Sequence, residues 1–395
     1  MSLSFGASSM AALASLPYAP GTVTLLVGGM LYTGWTSVEV RRSVKRMAGE
    51  FTLVVEERWT GGAGGGGPAS LLEWRIRPGD PCQVFYLGLP VITGHVDAYN
   101  PRYAATSHTV TIQGRSKTGD LCDSSAIIPN GEMNNVGLDQ VARRAIDKYG
   151  IGLKNEAQDL EPFDRVSVWP GETVHRFLDR YARPGAVSLT DDEQGNLRLL
   201  QVEDAGPAAS LVEGVNILEA SAMLRGDTRH SEYNVLGQDR GTDAEYGKPV
   251  AQRRSRVRDG AVKRHRPLVL LNETKTSRKA SRSRGAWEAA RRAGESTRVE
   301  VKVFDWCYAP GQLWQPGMIV QVTSPMLAVN RTLALEGVVF TLSERGTLAA
   351  LSLVPVEALN PKGGKGQNAG DKAWADTKPE GEPEDMTGSA DGLNF

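Results

Sequence analysis

Side chains that could do chemistry are scattered along this 395-residue chain. No two histidines stand at the short spacing of helical zinc ligands, and the Gly-rich run 61–68 precedes neither Lys-Ser/Thr nor a helix start. A Gly-x-Ser-x-Gly nucleophile turn is also missing. We therefore predict no catalytic site, no cofactor, no metal, and a protein that is not an enzyme. The histidines are His95, His108, His175, His230 and His265.

Two groups of carboxylates could be mistaken for sites. The hairpin turn from Asp191 to Asn196 is acidic, but it lacks the alternating ligands and the closing Glu of a calcium loop. We interpret it as a solvated turn, and Glu56-Glu57 as solvated residues at a strand end. A peptidoglycan hydrolase needs two carboxylates across a cleft. The sequence marks no such pair but leaves this alternative open.

The cysteines and the composition limit the classes to which this protein can belong. Cys82, Cys122 and Cys307 have no paired spacing, so we expect free thiols and a reducing compartment. Formal net charge is −1, and hydrophobic residues make up 40% of the chain, as in ordinary globular proteins. No apolar run reaches the roughly 18 residues of a membrane span. We expect no stable membrane insertion.

One segment is strongly basic. Residues 251–292 contain fourteen Lys or Arg against three acids, and Trp287 is their only aromatic residue. Such a patch could bind the phosphates of a nucleic acid. Proteins that bind single-stranded nucleic acid, however, also place aromatic residues between the basic ones, and the bases stack on them. We expect residues 253–292 to contact an acidic protein neighbour and not to recognise a nucleic-acid sequence. A nucleic-acid-binding module stays open as an alternative.

One pattern of elements occurs twice. The first copy has a turn at Pro78-Gly79, a strand through Val84, a strand beginning near Gly94 and an alternating strand over 109–114. The second has Pro316-Gly317, a strand through Val322, a strand beginning near Gly337 and a strand over 350–354. The two turns and the two strand-starting glycines are separated by nearly the same length of chain. Three elements recurring in order predict one small β-barrel built twice, with the valines pointing inward.

Between the two copies of this pattern, the spacing of apolar residues changes from the strand period to the helix period. Apolar residues at helical spacing predict helices near 138–150 and 172–183, followed by a hairpin over 187–200 and a further strand over 232–237. We predict a mainly β fold with α+β insertions. The domains are an N-terminal arm (1–20), a first β-barrel (21–120), an inserted α+β domain (121–220), connecting strands with the basic segment and a helix (221–292), a second β-barrel (293–359) and a flexible tail (360–395).

The ordered series of segments resembles the Mu-type phage baseplate hub proteins, the tail protein P family, related to the central hub of T4-like contractile tails. None of the segments is a catalytic motif, and the specificity lies in their order over most of the chain. The resembling segments are Trp74 to Gly79, Pro170 to Val174, Leu189 to Leu197, Arg264 to Val269, Trp287 to Gly294 and Leu313 to Gly317.

The resemblance implies a specific architecture. Such hubs are homotrimers with two β-barrels per subunit, so that six barrels form a ring of near six-fold symmetry. That ring continues the tail tube, and the other face carries the three-fold spike. The expected partners are the tail tube protein, the spike protein and the baseplate wedge proteins. The expected location is the virion tail baseplate, assembled in the host cytoplasm, with a tail-associated peptidoglycan hydrolase as the alternative function.

Overall fold

The protein is described from a computed structural model. The described residues are 23–57, 76–104, 108–128, 131–158, 160, 162–203, 205–237, 253–272 and 278–360. The predicted N-terminal arm, the Gly-rich run 61–68 and all but the first residue of the predicted tail lie outside them.

Buried and less buried side chains alternate with the two-residue strand period along the strands Ser37–Ser43 and His108–Ser116, whereas all five residues of the first strand, Val23–Val27, are buried. The first seven strands are β1 (Val23–Val27), β2 (Met30–Tyr32), β3 (Ser37–Ser43), β4 (Glu50–Glu57), β5 (Pro81–Tyr86), β6 (Leu89–Tyr103) and β7 (His108–Ser116).

A mixed segment follows, with two helices at the predicted places. The hydroxyl of Thr173 accepts a hydrogen bond from the N–H of Arg176, which begins the second of these helices. The elements are α1 (Gly119–Asp123), β8 (Glu132–Val136), α2 (Leu138–Ile146), β9 (Leu153–Asn155), β10 (Phe163–Ser167), α3 (Val174–Ala182), β11 (Ser188–Asp191) and β12 (Leu197–Leu200).

The remaining elements complete the chain. They are β13 (Ala209–Val212), β14 (Glu219–Leu224), β15 (Glu232–Gly237), β16 (Arg253–Arg258), β17 (Pro267–Asn272), α4 (Arg278–Glu295), β18 (Thr297–Phe304), β19 (Cys307–Ala309), β20 (Gln312–Leu313), β21 (Ile319–Ser324), β22 (Val329–Ser343), β23 (Gly346–Val354) and α5 (Val356–Leu359). The fold is mainly β, as predicted, and none of the described helices is long and apolar enough to cross a membrane.

Two groups of six strands have the same neighbour order. The N-terminal unit runs β3-β4-β7-β6-β5-β1, and the C-terminal unit runs β14-β18-β23-β22-β21-β13. Four strands also have identical lengths in both units: β5 and β21 have 6 residues, β6 and β22 have 15, β7 and β23 have 9, and β4 and β18 have 8. The outermost pairs differ, because β1 is antiparallel to β5 whereas β13 is parallel to β21.

The two Pro-Gly turns are built alike. Gly79 and Gly317 have φ of 92° and 93°, the left-handed region in which glycine avoids a Cβ clash. Their N–H groups donate to the carbonyls of Val96 and Leu335 at 2.7 and 2.8 Å. The N–H groups of Val96 and Leu335 donate back to the next turn residue, at 3.0 and 2.8 Å. The repeated turn therefore fixes the same strand start in both units.

The register of the long strands corrects one detail of the sequence alignment. Each long strand has a bulge against its neighbour, at Asp97 in β6 and at Glu336 in β22. Gly337 therefore corresponds to Ala98 and not to Gly94, so the expected equivalence of the two glycines was wrong. Gly94 lies before the bulge of its strand and Gly337 directly after the bulge of its strand, and the sequence pattern does not show where either bulge lies.

The two units are continuous with one another. The C-terminal half of β22 pairs with β3, over Gly337–Leu342 and Val38–Ser43, which joins both units in one 13-stranded sheet. The two closed barrels that we expected are not found among the described pairings, since the strands form one sheet with edges. The physical reason is that β22 pairs with three strands. Besides β21 and β23 of its own unit, it pairs with β3 of the N-terminal unit.

Both units share one hydrophobic core. Val84 and Val322 are fully buried in it, while Gln83 and Gln321 are partly exposed, which confirms the predicted facing. A second core lies under α2 and α3, with Phe177 and Leu197 at its centre. A third, small cluster joins α5 to the ends of β12 and β23.

Candidate assembly interface

The structure keeps the possible catalytic side chains apart. Among the described residues no three His, Cys, Asp or Glu side chains group closely enough to hold a metal ion. His95 has one acid near it, with 3.9 Å between its Nδ1 and a carboxylate oxygen of Asp120. The ring of His230 packs edge-on against Tyr233, with 5.9 Å between the ring centroids. Glu56 is exposed, as predicted for the strand end.

A cavity of about 440 Å³ lies where the two units meet the 191–196 turn. Among the described residues that line it, Glu193 is the one carboxylate, and Leu89, Tyr308 and Met318 supply apolar and aromatic wall. Two-carboxylate glycoside hydrolysis needs a second acid across the cleft. The described lining of this cavity does not supply that pair.

The acidic turn is not solvated, so that interpretation was wrong. Asp191 and Asp192 are only 1% and 6% exposed. The Asp192 carboxylate accepts from the N–H groups of Gln194 and Asn196 at 3.0 and 2.7 Å, closing the turn on itself. Asp191 instead binds Arg42, which is 149 residues away in the sequence. No sequence signal marks this pair, because Arg42 lies in an ordinary alternating strand.

Arg42 and Asp191 connect the N-terminal unit to the inserted segment. Arg42 donates through Nη2 to the Asp191 carbonyl at 2.8 Å, and its Nε lies 3.4 Å from Asp191 Oδ1. The other carboxylate oxygen accepts from the N–H of Gly49 at 3.0 Å. Both side chains are at most 2% exposed. A buried ion pair of this kind fixes geometry, because either charge alone would be costly in the interior.

The Arg42–Asp191 pair lies at the pairing of β22 with β3, which we call the internal joint. The bulge residue Glu336 supports it: its carboxylate contacts Lys45 and accepts from Arg298 at 2.7 Å, and its carbonyl accepts from the N–H of Val44 at 2.8 Å. The side chain of Glu336 is 7% exposed. The internal joint is thus a strand ladder with charged groups at one end.

The short strands β2 and β13 each have an outer side with no strand partner in the described part of the chain. The same holds for two longer edges. One is the outer side of β14, at one end of the 13-stranded sheet. The other is the outer side of β6 over 98–103, where the equivalent part of β22 binds β3. Large apolar side chains are exposed at both edges: Tyr103 is 88% exposed, Met223 59% and Leu224 43%. Exposed apolar strands at an edge are typical of an assembly surface.

Several arginines of the described basic segment form ion pairs with acids of the same chain. Arg256 pairs with Glu232 on the neighbouring strand β15. Arg291 and Arg292 on α4 both bind Glu288, at 2.9 and 2.7 Å. The pKa of Glu288 is lowered, because these two arginines outweigh the desolvation that opposes them. This arrangement favours a structural use of these arginines over phosphate binding.

The three thiols are free in the structure, as predicted. Burial raises the pKa of Cys82 to about 12 and that of Cys307 to about 11, since desolvation disfavours the thiolate. Because the thiolate is the reactive form, we expect all three to react slowly with an aromatic disulfide reagent at pH 8 in native protein. Denaturing the unreduced protein should release about three thiols per chain. A count near one would reveal a disulfide and contradict this.

Four family models match successive parts of the chain. They are described as the N-terminal domain of the Mu phage baseplate assembly protein GpP-like family (residues 22–116), the second domain of the baseplate hub protein gp44-like family (118–201), the third domain of the tail protein NMB1110-like family (229–286), and the fourth domain of Mu phage baseplate assembly protein GpP (277–362).

Individual proteins match over most of their length. The chain is 31% identical over 345 residues to the baseplate hub protein gp44 of Escherichia phage Mu, covering 85% of this chain and 88% of that protein. The structure of a 43 kDa tail protein of prophage MuSo2 from Shewanella oneidensis superposes with a TM-score of 0.74 at 30% identity, over 86% of this chain and 99% of that one. A tail protein from Neisseria meningitidis MC58 gives 0.71 at 21% identity, over 87% and 99%. The chain belongs to the Mu gp44 family of phage baseplate hub proteins.

Proposed function

We propose that this baseplate hub protein is a homotrimer whose six sheet units form a ring of near six-fold symmetry. In that ring it joins the six-fold tail tube to the three-fold spike. The observation that supports this most is the repeated strand order, in which one chain presents two similar six-strand units side by side. The role is structural, and the protein is not an enzyme.

Symmetry gives the reason for a duplicated unit. A ring closes when each unit contacts the next through the same head-to-tail surface and the rotation is a whole fraction of a turn. Two units per chain then let three chains present six similar surfaces to a six-fold partner. The differences between the units, including the parallel β13, leave a three-fold pattern for a three-fold partner.

The proposed partners follow from this position. The ring contacts the tail tube protein on one face and the spike protein on the other, with baseplate wedge proteins around it. Assembly takes place in the host cytoplasm, where the free thiols stay reduced. We further propose that residues 21–120 and 293–359 form the two ring domains. Strands β13 and β14 pair with the second of them, and the rest of residues 121–220 and 221–292 is inserted between the two.

The trimer is tested by its mass. Light scattering on the purified full-length chain is expected to give three times the mass of the 42.6 kDa chain. Averaging of particle tips should place six units at successive sixths of a turn, alternating between the two kinds. A stable dimer or hexamer would contradict the proposal, and so would two units that do not superpose under a rotation close to one sixth of a turn.

A further inference from the structure

We propose that the N-terminal arm, residues 1–20, docks in the cavity that lies where the two units meet the 191–196 turn. The contacting segment is residues 16–20. The ring of Tyr18 occupies the cavity, and its hydroxyl donates a hydrogen bond to the Glu193 carboxylate. The occupant is the chain's own arm, so the proposal does not depend on the trimer.

The walls of this cavity come from three parts of the chain. Leu89 and Pro90 belong to the N-terminal unit, Glu193 and Gln194 to the inserted segment, and the lining residues between 308 and 318 to the C-terminal part. The volume of about 440 Å³ lies within the roughly 300–1,000 Å³ of pockets that bind ligands. A segment docked there contacts all three parts at once and braces them against one another.

The apolar side of the lining is incompletely covered by the described residues. Leu89, Tyr308 and Met318 pack against the shared core, yet each of them is only partly buried. Leu313 extends the same wall. An apolar occupant removes this surface from water, and the hydrophobic effect therefore favours docking.

The arm has a composition that matches this lining. The first 22 residues contain no Asp, Glu, Lys or Arg, and the first charged side chain of the chain is Glu39. Segments that stay solvated are rich in charge and poor in large apolar residues, which is the opposite composition. The arm also lies outside the family match, which begins at residue 22. Its large apolar and aromatic residues are Leu3, Phe5, Met10, Leu13, Leu16 and Tyr18.

The arm joins the described chain close to the cavity. Strand β1 begins at Val23, which pairs with Tyr86 of β5, and Tyr86 pairs in turn with Leu89 of the cavity wall. Each such step spans about 5 Å between Cα atoms, so Val23 lies roughly 10 Å from Leu89. Tyr18 precedes Val23 by five residues. Five extended residues span about 17 Å, which is enough to reach the cavity.

Two features keep the entropic cost of docking low. Pro17 and Pro20 flank Tyr18 and Ala19, and proline restricts both its own backbone and that of the preceding residue to a few conformations. Proline-containing segments of this kind bind in grooves with aromatic walls, and Tyr308 supplies such a wall here. A short tether also holds the arm at an effective concentration of about 1 mM, so even weak docking fills the cavity.

Glu193 supplies the polar contact that a docked tyrosine needs. Its Oε2 lies 3.9 Å from Arg42 Nη1 and accepts from Gln315 Nε2 at 3.4 Å, and its Oε1 accepts from Gln194 Nε2 at 3.1 Å. A carboxylate has about four acceptor positions, so capacity for a further donor remains. A buried tyrosine hydroxyl usually finds a partner, and an uncharged phenol adds no second charge beside Arg42 and Glu193.

The C-terminal tail fits the cavity less well than the arm. It also starts nearby, since Asn360 donates through Nδ2 to the Val202 carbonyl at 3.0 Å. Residues 361–395, however, contain seven Asp or Glu against four Lys. Glu193 is the one carboxylate of the described lining, and none of the described lining residues is cationic. An acidic tail would therefore meet a like charge, whereas the arm carries none.

Filling the cavity tests the docking from one side. Ala208 is an exposed residue of the lining, so Ala208→Trp places a large ring where the arm docks. We expect chymotrypsin to cleave the Tyr18–Ala19 bond of the full-length chain at least tenfold faster in this variant than in the native chain. Ala205→Trp is the matched control, since Ala205 is exposed in the same segment but does not line the cavity. Equal cleavage of the native chain and Ala208→Trp overturns the proposal.

Releasing the arm tests the docking from the other side. Gln312 is exposed and lines the cavity, so a thiol in the Gln312→Cys variant reports whether the cavity is covered. Adding Tyr18→Asp places a carboxylate against Glu193, and we expect maleimide to label the introduced thiol at least tenfold faster. Ser9→Asp adds the same charge outside the docking segment and should leave the rate unchanged. Peptide mass mapping distinguishes the introduced thiol from the three native ones.

The remaining outcomes identify a wrong occupant. Equal labelling in the Tyr18→Asp and Ser9→Asp backgrounds means that the arm does not cover the cavity. Faster labelling after deletion of residues 361–395, with no effect of Tyr18→Asp, assigns the cavity to the tail and contradicts the proposal. Protection that is lost when an assembled protein is diluted to single chains assigns it to the arm of a neighbouring copy, which also contradicts it. None of these results changes the mass measured for the native assembly, so the proposed trimer is tested separately.

Discussion

Leu351→Asp is expected to remove most of the folding stability of the whole sheet. Leu351 is fully buried in β23, with Val301 on one side and Val338 on the other, each 1% exposed. A carboxylate there faces only apolar partners in the two described ladders, so the cost combines its desolvation with the lost apolar contacts. We expect a loss of at least about 4 kcal/mol, a large share of the roughly 5–15 kcal/mol typical of domains.

Ala350→Asp is the matched control for that substitution. It adds the same charge one residue earlier, on the opposite face of the strand and directly across from Lys302. A cross-strand pair of opposite charge there should keep the change within about 1 kcal/mol. Chemical denaturation followed by tryptophan fluorescence and far-UV circular dichroism measures both. Because one core spans both units, we expect a single early transition for Leu351→Asp. Equal midpoints for the two variants would show that this core does not hold the sheet together.

Asp191→Asn and Arg42→Met are each expected to destabilise the protein by about 3–5 kcal/mol, as for other broken buried ion pairs. The first leaves the Arg42 charge buried, and the other described anion in contact with it is Glu193, 3.9 Å from its Nη1. The second leaves the Asp191 carboxylate with the N–H of Gly49 at 3.0 Å as its described donor. The large cost arises because the surviving charge is almost fully removed from water.

A double-mutant cycle separates this pair from simple loss of packing. The Arg42→Met/Asp191→Asn variant should cost less than the sum of the single variants, with a coupling of about 1–3 kcal/mol. Arg46→Met is the control, since its partner Glu50 is exposed and such surface pairs contribute about 0–1 kcal/mol. Additive single effects would mean that the two side chains do not act as a pair.

Several local features could be predicted from the sequence because they depend on short-range periodicity. The strand β15 lies where the sequence pattern predicts it, and the helix starting at Val174 follows a hydroxyl cap. The repeated Pro-Gly turns have the same conformation and the same hydrogen bonds. The alignment of their partner strands was misjudged by a few residues, because Gly94 lies before the bulge in β6 whereas Gly337 lies after the bulge in β22, and the pattern of glycines does not show this.

Less of the candidate interface could be predicted from the sequence. An alternating strand shows which residues face the core but not which strand lies beside it. Nothing in the pattern of β3 distinguishes pairing with β22, which lies near the other end of the chain, from an exposed edge. For the same reason two closed barrels were expected where the strands form one sheet. Asp191 was predicted to be solvated, because its buried partner Arg42 belongs to another segment of the chain.

The sequence by itself determined the mainly β class, the repeated turn and strand elements, the free thiols and, through the order of its segments, the baseplate hub family. These depend on local conformational preference and composition, which each segment carries with it. Only the tertiary structure decided the internal joint, the buried Arg42–Asp191 pair and the two open edges at β6 and β14. Strand partners are chosen by burial and hydrogen bonding across the whole fold, and that choice leaves no mark on either strand alone.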